Sequence, residues 1–326
     1  MPDLPFLDSF DHYLSTDGSQ KWTTGGPTIG IGTGRRGTNG ALVAGGGLAK
    51  TFNNEYSTLY AGAAFKNSGD SPFRFLNAIN RINISLPNVG DGRLMLNGSD
   101  PTIGNFSPQL WSGVTPPLLN DRWYYIEMMV SITPTTASAI VRINEEIVIT
   151  ESVAFAGTIS SHCGFATINI SGRAQGLYTD VDDVYVDSDG FYGDVNIDVI
   201  RPDGPDTTTW IPSPNVANYL NVKDITPDGD ATVVSSATVN DLDLYTMEDI
   251  PSNAIVKAIQ GIASVKKDTA GLAALKVQYG ATGGSPLFSD EFYPSEISYI
   301  MLRDGRKDIL TPAAINALVF GVLRTK

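Results

Sequence analysis

The side chains best suited to chemistry in this chain are acids. Asp180, Asp182, Asp183, Asp187 and Asp189 fall in one short run, and Asp187-Ser188-Asp189-Gly190 alternates carboxylates toward a turn-forming glycine. A Ca2+ ion takes roughly six to eight oxygen ligands, so these five aspartates are the candidate metal ligands. No Glu follows at the offset that closes an EF-hand loop. The competing reading is a solvated strand edge, where like charges repel a second sheet edge.

Nucleophilic chemistry has little to work with. His12 and His162 are the two histidines and Cys163 the one cysteine, which excludes an intramolecular disulfide. On a strand, the adjacent His162 and Cys163 point to opposite faces and form no dyad. His12 falls in the expected first strand and reads as structural. A zinc site of His and Cys ligands is short of donors unless carboxylates fill in.

Gly32-Thr33-Gly34-Arg35-Arg36-Gly37 fits G-x-G-x-x-G, but a dinucleotide site needs a helix to open there. The glycine-rich residues that follow cannot hold one. This loop reads as a turn, and no catalytic or cofactor-binding residue is assigned. Trp111 and Trp210 sit in loop-like contexts, where they either anchor a protein interface or stack on a sugar ring; the interface reading is preferred.

The elements that must carry these residues are short strands. Thr28 to Ile31, Ala41 to Ala44, Leu59 to Phe65, Arg93 to Leu96 and Trp123 to Ile132 are β-prone runs bounded by Gly, Asn and Asp. Asn144-Glu145-Glu146 reads as a hairpin turn, and Phe165 to Ile170 and Leu177 to Asp187 complete a first set. Past a boundary near Gly190, strands are expected over Asp194 to Ile200, Thr232 to Val239, Ile255 to Lys266 and Leu272 to Tyr279. A helical turn is expected within Asn215 to Val222. Thr311-Pro312 places a hydroxyl at an N-cap and Pro at the first helical position, so a short helix should run to Ala317 before a last strand over Val319 to Leu323. The fold class is therefore all-β: two β-sandwich domains, residues 1–190 and 191–326, the second with a short helix near its C-terminus.

The charge is uneven. The chain carries a formal −13, yet residues 178–250 hold 2 bases and 16 acids. Nucleic acid is excluded as a partner, because phosphate contacts need clustered Lys and Arg. No run of eighteen apolar residues appears, so no membrane insertion is expected, and the N-terminus reads as lacking a secretory signal.

Several motifs resemble a known group. Phe10-Asp11-His12-Tyr13, Gly34-Arg35-Arg36-Gly37-Thr38-Asn39-Gly40, Trp123-Tyr124-Tyr125-Ile126-Glu127, Val141-Arg142-Ile143-Asn144 and Asp182-Asp183-Val184-Tyr185-Val186-Asp187 are similar to the strands of laminin-G/concanavalin-like jelly-roll domains in virion structural proteins of tailed bacteriophages. In such folds the last of these strands lies beside the first. The resemblance implies a concanavalin/laminin-G-like jelly roll for the first domain. It also implies a non-enzymatic structural protein of the virion: a capsid, neck or tail decoration, fibre-like or adaptor subunit. Its partners would be other virion proteins and further copies of itself, in a symmetric homo-oligomer such as a trimer. Its place would be the virion, assembled in the host cytoplasm.

The resemblance leaves two alternatives. Concanavalin-like domains bind calcium at a rim, and a host-glycan-binding receptor-binding protein is one reading. Jelly rolls also host glycan depolymerases, but those carry Glu-x-Asp-x-Glu on one strand. This chain has no such triplet, and Glu127, Glu145 and Glu146 are its isolated candidates.

Overall fold

The computed structural model describes residues 4–12, 21–23, 28–30, 33–37, 40–43, 48–66, 74–77, 82–85, 92–98, 113–159 and 164–170. It further describes residues 179–267, 272–281, 287–294, 300–307 and 311–326. The chain is all-β and divides into two compact units. Phe6–Ile197 forms one; Asp198–Lys326, joined by Met1–Pro5, forms the other.

The first unit is a jelly-roll sandwich of antiparallel strands. In chain order these are β1 (Phe6–Asp8), β2 (Thr28–Gly30), β3 (Gly40–Val43), β4 (Leu48–Tyr56), β5 (Thr58–Lys66), β6 (Arg74–Asn77) and β7 (Ile82–Ser85). They continue as β8 (Asn97–Gly98), β9 (Trp123–Ile132), β10 (Thr136–Ile143), β11 (Glu146–Ala154), β12 (Phe165–Ile170) and β13 (Thr179–Asp187). One sheet has the order β11-β10-β9-β5-β13-β3-β2, with β1 also paired to β13; the other runs β4-β12-β6-β7-β8.

Local chemistry explains the central hairpin. β10 alternates half-buried and buried residues along its whole length, the period of a strand with one face on a core. Its turn uses Asn144 and Glu145, both at positive φ (48° and 70°), which suits a two-residue hairpin. The Asn144 side chain accepts from the Tyr125 N–H at 2.9 Å and ties the turn to β9. Phe52, Leu59, Met128, Val130, Phe165 and Ile168 are among the buried core residues.

The second unit carries β14 (Pro202–Thr208), β15 (Ile211–Ser213), β16 (Val233–Ser235), β17 (Leu242–Met247), β18 (Ile259–Val265), β19 (Leu275–Ala281), β20 (Leu287–Phe288), β21 (Ile300–Arg306) and β22 (Leu318–Arg324). Its main sheet is β14-β17-β22-β19-β20, and β15–β16 and β18–β21 form separate ribbons. Leu275, Val277, Tyr279, Phe292 and Leu318 make a buried cluster, with Trp210 and Phe320 packed against it. The expected helix is α1 (Pro312–Asn316), and the Thr311 hydroxyl accepts from the Ala314 N–H at 3.2 Å. A cap of this kind stabilises by about 1 kcal/mol. No helix among the described residues is long and apolar enough to cross a membrane.

Several expectations change, among them Arg93 to Leu96, which holds isolated bridges such as Met95 to Val114 rather than a strand. Asp194 to Ile200 is not a strand, because its N–H groups bond elsewhere: Asp194 N–H to Glu145 at 3.1 Å and Ile197 N–H to Asp183 at 2.8 Å. The run from Thr232 to Val239 shortens to β16, since the Ser236 hydroxyl turns the chain by accepting from the Thr238 N–H at 3.0 Å. His12 lies past the end of β1, after a turn at Phe10 with φ of 61°.

Candidate functional site

β13 runs through the middle of the large sheet, between β5 and β3 and beside β1, so its acids do not line a free edge. Asp182, Asp183 and Asp187 are buried, Asp180 is half-buried and Asp189 exposed. This corrects the reading of a solvated acidic edge. The register slips between Asp182 and Tyr185, with Asp183 at φ 49°, as in a bulge that re-aims side chains.

The buried acids are occupied by main-chain donors. Asp182 accepts from the N–H of Arg35 and of Asp183, each at 2.9 Å. Asp183 accepts from the Ile197 N–H at 2.8 Å. Burial, followed by the charge of Asp183, pushes the Asp182 carboxyl up to about 7, and the two N–H donors oppose that rise. Burial also raises Asp180, against the pull of Lys66. Among the described residues no three His, Cys, Asp or Glu side chains converge as a metal site. The Ca2+ reading therefore has no assembled ligand set on β13.

A second row crosses the same sheet. Arg142 on β10 pairs with Glu127 on β9, Glu127 with Gly62 on β5, and Gly62 with Tyr185 on β13. Gly62 is required here: a Cβ would run into the Tyr185 ring. The ring lies across that gap and its hydroxyl donates to Glu127 at 2.5 Å. Glu127 is fully buried, and it also accepts from the Gly193 N–H at 2.8 Å and pairs with Arg142 at 3.0 Å. Burial first, then Glu127, hold the Tyr185 hydroxyl far above its usual range, so it stays a donor.

These contacts strap residues 191–197 to the sheet. Tyr192 stacks on Tyr185 with ring centroids 4.3 Å apart. Glu145 takes the Asp194 N–H, while Arg35 grips the Asp194 carboxylate through both terminal nitrogens and lies 5.5 Å over the Tyr125 ring. Phe191 meets the edge of Tyr60 at 5.0 Å and faces the Arg142 guanidinium at 4.8 Å. Glu127 and Glu145 are thus brought together, but as anchors for consecutive N–H groups.

The remaining candidates separate. Trp111, His162 and Cys163 lie outside the described residues. Trp210 is half-buried in the second unit, packed against its core cluster. Its carbonyl accepts from Asn218 at 2.8 Å, and Asn218 also holds the buried Asp243 carboxylate. Gly32–Gly37 is a turn where described, with the Gly37 N–H bonded to the Gly34 carbonyl at 3.2 Å. Arg35, Arg142 and Tyr185 fall within motifs noted for strand or turn formation, but not as site residues; a further sequence signal was a glycine among alanines at Ala61-Gly62-Ala63-Ala64.

No protein-family model matches this chain, and no curated protein matches it. Among solved structures it is similar to a Crh5 transglycosylase in complex with NAG (TM-score 0.36, 12% identity, 57% of this chain and 84% of that one). It is also similar to the Ruminococcus gnavus IT-sialidase CBM40 bound to alpha2,6 sialyllactose (TM-score 0.29, 12% identity, 47% and 91%). A third is the mouse laminin alpha1 chain, domains LG4-5 (TM-score 0.32, 10% identity, 97% and 81%). At these scores the likeness carries no functional argument.

Proposed function

We propose that this chain is a non-enzymatic structural protein of a tailed-phage virion, acting through protein–protein contacts as one of many copies. The observation that carries the reading is the surface of the second unit. Val216, Ile255, Leu272 and Ile211 are 94%, 83%, 80% and 69% exposed. All seven residues of β18 are half-buried, so neither face of that strand is fully covered. We read these exposed apolar side chains as contact positions for a neighbouring protein. The buried acids of the first unit argue the same way, since Glu127, Asp182 and Asp183 hold main chain. Weak contacts suffice when many copies share one particle. Peptide mass spectrometry of purified virions tests this: the chain should be present at many copies per particle, and its absence would overturn the reading.

A second reading is glycan binding by the first unit. It is favoured by the partly exposed Tyr60, Phe191 and Arg142, an aromatic and cationic group of the kind that meets sugar rings. A glycan array run with and without chelator decides it. Silence under both conditions removes this reading and leaves the first intact.

A further inference from the structure

A further group of ionisable side chains lies near the N-terminus, on β1 and in the residues that follow it. Asp8, the last residue of β1, is fully buried, and Lys21 is 2% exposed. The Lys21 Nζ lies 3.8 Å from Asp8 Oδ1 and donates to the Leu7 carbonyl at 2.8 Å. The turn at Phe10 brings His12 back, with its Nε2 3.7 Å from the same Asp8 oxygen. The Phe10 N–H donates to Asp8 Oδ1 at 3.1 Å, and the Trp22 Nε1–H to Oδ2 at 2.8 Å.

The surroundings are aromatic. Phe6 meets Trp22 edge-on at 5.2 Å, Phe10 stacks on Trp22 at 6.2 Å, and Lys21 lies 6.0 Å over the Phe6 ring. An ammonium and a carboxylate in such a place each cost several kcal/mol in lost hydration. Handing one proton from the Lys21 ammonium to the Asp8 carboxylate, the step that amide formation requires, leaves an amine beside a carboxylic acid. Those are the two partners of amide formation.

We propose that Lys21 and Asp8 condense into an intramolecular isopeptide bond, with His12 carrying the proton. The Lys21 nitrogen attacks Asp8 Cγ and a C–N bond forms. Negative charge gathers on the oxygen that faces the Trp22 Nε1–H, a donor already in place. His12 takes the proton from nitrogen and gives it to the departing hydroxyl; the C–O bond breaks and water leaves. No oxidant or further reactant is consumed. Burial, then the charge of Lys21, lower the His12 pKa to about 3, so the imidazole is neutral at rest, and discharge of the Lys21 ammonium removes the second of those causes.

The test is the intact mass of the purified, denatured full-length chain. The bond makes it about 18 Da lighter than its sequence, one water lost. Fragmentation should then map a branched peptide joining Asp8 to Lys21. Lys21→Arg and Asp8→Ala should each restore the full mass, and His12→Ala should slow the appearance of the lighter form. An unmodified wild-type mass overturns the proposal, whether or not the variants fold. So does a water loss mapped to any other pair, such as one using Lys50, which lies 5.5 Å over the same Phe6 ring.

Discussion

Among the described residues the two units differ in degree: the sandwich buries more acids, while the second unit holds the most exposed large apolar side chains. The sandwich draws acids inside and satisfies them: Glu127, Asp182 and Asp183 each accept from main-chain N–H groups. The second unit leaves apolar residues outside, at Val216, Ile255 and Leu272. Buried acids bound to main chain make a rigid, self-sufficient body. Exposed apolar side chains make a surface that gains from a partner. On the proposed function, the difference separates a body that stands on its own from a surface that meets a partner.

Glu127→Ala loads this contrast most heavily. It strands the Arg142 charge, the Tyr185 hydroxyl and the Gly193 N–H together, and losing one partner of a buried ion pair costs about 3–5 kcal/mol. Urea unfolding measures it; a loss below about 1 kcal/mol, the worth of an exposed pair, would show that Glu127 anchors nothing. Gly62→Ala comes next, since its methyl meets the Tyr185 ring and overpacking costs about 1–3 kcal/mol.

A smaller effect depends on pH. The Asp182 carboxyl is raised above its unfolded value, to about 7, so protonation favours the folded state. Its contribution is fully present below the unfolded value, near 3.8, and fades as pH rises through 7. Asp182→Asn should therefore stabilise the sandwich more at pH 8 than at pH 5. Equal shifts in Tm at the two pH values would refute burial of the charged carboxylate as the cause. The smallest effect on stability belongs to the second unit. Val216→Ser and Ile255→Ser should change unfolding free energy by no more than about 0.5 kcal/mol. On the proposed function, both should nevertheless weaken incorporation into particles.

Much of the fold was legible because its signals are local. β9 and β12 occupy the expected residues, and Thr311-Pro312 marks the start of α1. The expected strand over Asp194 to Ile200 failed for a non-local reason. Its β-prone residues lend their N–H groups to Glu145 and Asp183, far away in sequence, and a one-dimensional pattern holds no trace of that. The aspartate run misled in a related way. Five acids between Asp180 and Asp189 suggest solvent or a metal, but the strand that carries the first four lies mid-sheet and three are buried. What makes burial tolerable is the glycine turn at Arg35 and the strap at 191–197, neither of which announces itself beside β13.

On the proposed virion role, the most direct test of the contrast uses antibody fragments raised against each unit, applied to intact virions and viewed by electron microscopy. Fragments against the sandwich should decorate the particle, while those against Val216, Ile255 and Leu272 should be excluded by the neighbouring protein. Equal decoration by both would contradict a contact role, because the exposed apolar surface of the second unit would then face solvent in the assembled particle.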